Sequence, residues 1–420
     1  MKICLLCNRG NMYCGGQGVY LYYLSSELQR LGHEVHVIVG PPYPQIPQGI
    51  VAHKVENLNF YDSGAKSILT QNPSRVFTPL NLYELAATRL WMFPEMFAFS
   101  IRAYFKLRQL LPEHRFDIIH DNQTLAYGIL LMKTFRIPIV ATIHHPLPID
   151  KKADIAQARN FRERLGRVMF YPFFMQHLVS RRMDRVITVS RSSAQETKSA
   201  FGVPEEKLRV VYNGIDTDVF KKVEGVVKEP NSLIVVANTR DRKKGILYLL
   251  QAVRLLKEDI PLKLTIVDDP DPDEGFAPYL VRKYGLEDSV SFTGRLTTPE
   301  LVKHYCRAEI AVTASTYEGF GLPAAEAMAC STPVVATTAG ALPEVVEDGV
   351  TGILVPPANP PALSAAIKRL LGDEALRWRM GEAGRKRVER HFSWRETAQR
   401  TIEVYSEVQN DNKLRASLQP

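Results

Sequence analysis

"SLIVVANTRDRKKGILYLLQAVRLLKEDIPLKLTIVD", residues 232–268, reads as an apolar strand, a basic loop, an amphipathic helix and a second apolar strand. That order is the βαβ unit of a parallel sheet. It decides the fold because the chain has already run through it once. "MKICLLC" (1–7) is a strand, "GGQGVYLYYLSSELQRLGH" (15–33) a glycine turn and helix, and "EVHVIVG" (34–40) a strand. "FDIIHDNQ", "IPIVATIHH" and "DRVITVS" continue the first series as strands, with "TLAYGILLMKTF" as a helix between the first two. "LRVVYNGID" (208–216) closes it. After the restart come "SVSFTG", the helix "TPELVKHYCRA", and the strands "EIAVTAS", "TPVVATT" and "GILVPP". The pattern predicts two α/β sheets in sequence with a seam near 205–230.

The length of 420 residues exceeds what one hydrophobic core usually serves, so two domains of about 200 residues each are expected. We place the first at 1–205 and the second at 206–392. "SWRETAQRTIEVY" opens the last long helix, over 393–410, with Ser393 and Glu396 spaced as a capping box. Hydrophobic content of 45% and charged content of 23% are ordinary for a globular chain. "MKICLLCNRGNMYCGG" lacks the small-residue cleavage site of a secretory signal. No stretch approaches the roughly 18 apolar residues of a membrane span. The nearest, "LWMFPEMFAFSI" (90–101), is broken by Pro94 and Glu95. Five scattered cysteines fit a reducing compartment, so a cytoplasmic location is expected. Cys4 and Cys7 form a C-x-x-C, but inside a buried strand, which favours core cysteines.

The net charge of +8 is unevenly placed. Residues 1–205 hold 24 Lys/Arg against 15 Asp/Glu, and 206–420 hold 29 against 30. Much of the excess lies in 151–198, where aromatics interleave with the basic residues. Such a face suits an anionic membrane surface, which would make the protein peripheral on the cytoplasmic face. It suits a plainly solvated helix equally well. No stacking motif of an RNA-binding fold is present, so no nucleic-acid partner is expected.

Ligands of doubly wound sheets sit beyond the carboxyl ends of the strands, and the candidate residues fall there. Gly15, Gly16 and Gly18 lie between a strand and a helix, without the full G-x-G-x-x-G fingerprint; a plain tight turn explains them as well as a ligand loop. Arg240 and Lys244 follow a strand end; Arg grips phosphate bidentately and Lys supplies a point charge, although lone basic residues in loops are usually just solvated. In "TYEGFGLPAAEAMACSTPVVATTAGALPEVV" (316–346), Gly319 and Gly321 free a loop before a helix, and Pro323 suits its first turn. The N–H groups near Leu322 and Pro323 would face an anion. Glu326, one turn in, can accept two vicinal ribose hydroxyls. Glu318 would reach the other end of the same ligand. Against this, both acids also simply favour a helix N-terminus. His144 and His145 end a buried strand, and adjacent residues there point opposite ways, so at most one faces a ligand.

These residues carry a resemblance. The chain resembles the retaining glycosyltransferases of family 4, whose signature Glu-x7-Glu is here Glu318 to Glu326. "GGQGVYLYYLSSELQRLGHEV", "TIHHP", "VYNGID", "RDRKKG" and "GALPEVVEDGVTGILV" follow in the family's order over nearly the whole chain. The resemblance implies a GT-B fold: α/β, two Rossmann-like doubly wound domains facing across a deep cleft. It implies transfer of a hexose-type sugar from a UDP- or GDP-sugar to an acceptor hydroxyl of a glycan, a lipid-linked or a small-molecule acceptor. Arg240 and Lys244 would bind the donor's diphosphate, and Glu326 its ribose. Glu318, with backbone at Gly319, Phe320, Gly321 and Leu322, would hold sugar and phosphates. His144 would lie near the transferring sugar and Gly16 near the phosphates. Gly15, Gly18 and His145 are acceptor-side candidates. No cofactor and no metal are expected. The last helix would pack back onto the first domain.

Two positions depart from the family's pattern. "DDPDPDEG" (268–275) replaces glycines, and Ser331 stands where glycine is common. Asp268, Asp269, Asp271, Asp273 and Glu274 have oxygen ligands for a hard cation, but interrupting prolines favour an exposed loop. Two other readings stand beside transfer: a nucleotide-sugar epimerase of the same fold, and a non-catalytic sugar-nucleotide or nucleic-acid-binding protein.

Overall fold

Buried β-branched and leucine runs build two all-parallel sheets. The computed structural model describes residues 1–10, 16–58, 77–89, 94–146, 173–271 and 275–417. The first sheet has seven strands: β1 (Lys2–Cys7), β2 (Glu34–Val39), β3 (Val51–Lys54), β4 (Ile118–Asn122), β5 (Ile139–Ile143), β6 (Arg185–Thr188) and β7 (Leu208–Val210). Their spatial order is β3-β2-β1-β4-β5-β6-β7. The second has β8 (Ser232–Val236), β9 (Lys263–Val267), β10 (Val290–Phe292), β11 (Ile310–Thr313), β12 (Val334–Thr337) and β13 (Gly352–Val355), in the order β10-β9-β8-β11-β12-β13. The strand order reverses once in each sheet, between β1 and β4 and between β8 and β11. Those switch points are where a doubly wound sheet leaves a crevice at its carboxyl ends.

The chain divides into two compact units. One holds residues 1–189, 193–211 and 397–420; the other holds 190–192 and 212–396. In the first, helices Gln17–Arg30 and Glu95–Leu110 cover the sheet. Pro94 and Glu95, which break the apolar run in the sequence, mark the start of the second of these helices: Pro94 is its N-cap and Glu95 lies in its first turn. Cys4 and Cys7 are buried in β1 as core residues, and burial pushes both thiols up, that of Cys7 to about 12. The last helix, Trp394–Ser417, starts with the Glu396 N–H donating to Ser393 Oγ at 3.2 Å. Its Tyr405 is fully buried, with the hydroxyl 2.5 Å from His120 Nδ1. Glu407 accepts from Arg185 Nε at 3.0 Å and Arg209 Nε at 2.8 Å. No helix among the described residues is long and apolar enough to cross a membrane. The basic stretch 151–198 lies outside the described residues up to 172.

The departure at Ser331 has a backbone consequence. Ser331 follows helix Leu322–Ala329 with φ at 55°, in the left-handed region. A side chain there costs roughly 1–2 kcal/mol, partly offset in glycine by its greater unfolded freedom. Ser331→Gly is therefore expected to stabilise the second unit by about 0.5–1 kcal/mol, read as a later denaturation midpoint. An unchanged or earlier midpoint would count against the strain.

Candidate functional site

In the second unit the sheet presents two interlocked loops at its switch point. After β8, buried Thr239 donates its N–H and its hydroxyl to Asp268 Oδ2, at 2.7 and 2.6 Å. Asp268 follows β9, so a neighbouring strand end pins the chain one residue before Arg240. The Arg240 N–H donates to Asn238 Oδ1 at 3.0 Å, and its guanidinium is exposed. Asp241 then caps the single 3₁₀ turn Arg242–Lys244, accepting from the Lys243 N–H at 3.0 Å. The turn sends Lys244 back across the sheet end, where its Nζ stands 2.7 Å from Glu318 Oε1.

Glu318 belongs to the loop after β11. Its carboxylate also accepts from Ser315 Oγ at 2.9 Å, and the residue is 8% exposed. The two loops share backbone as well: the Thr316 N–H donates to Lys243 O at 2.7 Å. Gly319 and Phe320 lead to Gly321, the N-cap of helix Leu322–Ala329. Phe320 turns its ring inward, 5.6 Å edge-on from Phe392, so only its backbone is available to a ligand. The first-turn N–H groups of a helix have no partner within it; Leu322 supplies one here, and Pro323 has none. Glu326, in the second turn of the helix, accepts from the Tyr305 hydroxyl at 2.9 Å. Burial pushes its carboxyl up to about 7, against the lowering effect of that hydrogen bond.

The first unit builds a second polar cluster at its own switch point. Gly16 is the N-cap of helix Gln17–Arg30, and Gly18 is buried in its first turn. Gly15 lies outside the described residues. Asn122, ending β4, donates Nδ2–H to Gln17 O at 3.0 Å. That orientation turns Asn122 Oδ1 toward His144, whose Nε2–H donates to it at 2.7 Å. Burial holds the imidazole neutral, pushing it down to about 3, with His145 and His120 acting in the same direction. The proton on Nε2 leaves Nδ1 as an acceptor. The ring meets Tyr20 edge-on at 4.8 Å. Gln123 fixes the following turn from both sides: its Oε1 accepts from the His144 N–H at 2.6 Å, and its Nε2–H donates to His145 O at 2.8 Å.

Of the residues singled out in the sequence, Lys244, Glu318, Gly319, Phe320, Gly321, Leu322 and Glu326 gather on the β8–β11 crevice of the second unit, with Arg240 at its rim. Gly16, His144 and His145 gather on the β1–β4–β5 ends of the first. Sequence reasoning passed over Asn122, Gln123 and Tyr305 and gave Asp268 no positioning part. For Asn122 and Gln123 a signal existed: uncharged polar residues ending an apolar strand beside a switch point. Asp268 holds the Arg240 turn, a use closed to a glycine. Asp273 and Glu274 lie outside the described residues.

Known proteins resemble this chain in sequence and in fold. The family model described as Glycosyltransferase Family 4 matches residues 14–219, and that for Glycosyl transferases group 1 matches 216–387. The MMP alpha-(1->4)-mannosyltransferase of Mycolicibacterium hassiacum is 39% identical over 409 residues, covering 96% of this chain and 98% of that one. Glycogen synthase of Mycobacterium tuberculosis is 27% identical, covering 93% and 91%. Among solved structures, sucrose-phosphate synthase of Thermosynechococcus elongatus superposes with a TM-score of 0.74 at 24% identity, covering 97% and 99%. HepE of Anabaena, solved with UDP-glucose, gives 0.69 at 20% identity, covering 97% and 100%. The two switch-point clusters, the Glu318–Glu326 spacing and these matches meet in one conclusion: the chain belongs to family 4 of the glycosyltransferases and is a GT-B sugar transferase.

Proposed function

We propose that this enzyme moves a hexose from a nucleoside diphosphate sugar to the hydroxyl of a sugar or polyol, with retention of anomeric configuration. The observation that carries the proposal is the Lys244–Glu318 pair, 2.7 Å apart, set beside a helix start with Glu326 on the same helix. A diphosphate takes Lys244 and the Leu322 N–H at the helix start, with Arg240 closing from the rim. Sugar hydroxyls take the Glu318 carboxylate, and ribose hydroxyls take Glu326. As the bond from the anomeric carbon to phosphate oxygen breaks, charge builds on the diphosphate, where those preorganised cations stabilise it. The acceptor oxygen bonds to that carbon on the same face, and its proton passes to the departing phosphate. His144, with Nδ1 free of its proton, receives a hydroxyl of the transferred sugar. The cations in this scheme are side chains, so it needs neither cofactor nor metal. HepE was solved with UDP-glucose, and a mannosyltransferase is among the relatives; uridine and mannose nucleotides therefore head the panel.

The test is a thermal-shift panel of nucleoside diphosphates and their sugars, with and without EDTA. A ligand at a hundredfold excess over its Kd adds about 2.7 kcal/mol to the folded state. One nucleotide should shift the wild type, equally in both buffers, and Glu326→Ala should lose the shift. No shift with any nucleotide would overturn the proposal.

The carboxyl of Glu326 adds a pH dependence. Its folded value of about 7 is raised above the unfolded one, so the stabilising preference for the protonated form is complete below the unfolded value. It is lost as pH rises through about 7, at a cost of about 3 kcal/mol. Ribose hydroxyls reward the ionised carboxylate. Nucleotide affinity is therefore expected to climb as pH rises through 7, and to stay flat in Glu326→Gln.

A further inference from the structure

The first unit carries a second cluster of chemistry-bearing side chains at the opposite ends of its strands. Lys2 opens β1, Glu34 opens β2 and His36 follows within it, and His114 precedes β4. One ligand atom each from Glu34, His36 and His114 lie within 4.8 Å of one another. His36 is 1% exposed, yet both its nitrogens are engaged: Nε2 stands 3.0 Å from Glu34 Oε1 and Nδ1 3.0 Å from His53 Nε2. A cation already sits among these groups. Lys2 Nζ is 2.8 Å from Glu34 Oε1 and 3.0 Å from His114 Nδ1, so the His114 lone pair faces the cluster.

We propose that Glu34, His36 and His114 form a site for a divalent transition metal of the zinc class, which displaces the Lys2 ammonium and ties the amino ends of β2 and β4 together. Two imidazoles and a carboxylate are a ligand set that zinc takes, with water completing the tetrahedron. Ligand atoms around a tetrahedral zinc lie about 3.4 Å apart, so the three close in by rotation of an exposed glutamate and a half-buried imidazole. His53 completes the design. A neutral His36 bound through Nε2 carries its proton on Nδ1, which then donates to His53 Nε2, as metal-bound histidines usually donate to an outer partner. The two rings are nearly coplanar, at 13° with centroids 5.2 Å apart, which fixes the plane of the ligand. These residues stand at the strand ends away from the switch-point crevice, so the metal's work is structural.

The test uses the full chain, free of any histidine tag and stripped of metal, titrated calorimetrically with zinc chloride at pH 7.5. Binding of one equivalent with a raised melting temperature is expected. Cobalt(II) should give visible absorption bands that zinc abolishes. Lys2→Met, which removes the competing cation, should tighten zinc binding at least tenfold. His114→Gln should weaken it at least tenfold while leaving sugar transfer unchanged. Absence of a saturable one-equivalent site in both wild type and Lys2→Met would overturn the proposal. So would equal zinc affinity in wild type and His114→Gln.

Discussion

Lys244→Ala is expected to lower kcat/KM by roughly two to three orders of magnitude, the usual cost of removing one preorganised group from a developing negative charge. The ammonium does two jobs in turn. In the free enzyme it neutralises Glu318, whose side chain is 9% exposed. In the proposed mechanism it would take the diphosphate as charge moves there. The second job is felt most in the transition state, so the loss should fall mainly on kcat. Donor binding falls less, because Arg240 and the helix start remain. A variant with unchanged kcat and a raised KM would confine Lys244 to ground-state binding.

The residue after it should be the most sensitive to stability in this loop. Gly245 links the 3₁₀ turn to helix Ile246–Lys257 with φ at 67°. A Cβ built there would stand 1.9 Å from Ala314 O, where a backbone carbonyl cannot yield cheaply. Gly245→Ala adds left-handed strain of roughly 1–2 kcal/mol to that collision; a total loss of about 3 kcal/mol or more is expected. Chemical denaturation should show it as an early transition of the second unit. Activity should fall with it, since Ala314 leads directly into the Glu318 loop. Gly16→Ala is the contrast: φ is similar, at 71°, but nothing lies within 4 Å of its Cβ. A loss as small at Gly245 as at Gly16 would show that the two loops part easily.

Much of this was legible before any coordinates. Strands such as β5 and β8 are nearly continuous apolar runs because helices cover both faces of a parallel sheet, and that signal is hard to miss. Gly319 and Gly321 followed by Pro323 announced a loop and a helix start. What escaped was carried by contact rather than pattern. β3, "VAHK", is an edge strand, mostly exposed, with no apolar run to betray it. Asn122 matters because its two amide ends reach Gln17 and His144, 105 and 22 residues away. Asp268 reads as part of an acidic loop until Thr239 is seen donating to it. The cluster of Glu34, His36, His53 and His114 is spread over 81 residues of sequence, with none of the short spacing that marks a metal motif.

The buried hydrogen bond between His120 and Tyr405 spans 285 residues, and that separation sets a clock for the living cell. A ribosome adding about 5–20 residues each second needs roughly 15–60 s to travel from one partner to the other. For about the last two thirds of that interval the first unit has been synthesised as far as residue 211 but lacks the helix that closes it, while the second unit is still emerging. The nascent chain must hold an open apolar flank in solution until its final residues leave the tunnel. A messenger truncated a few codons before Tyr405 should yield a chain that chaperones retain rather than one that merely works poorly.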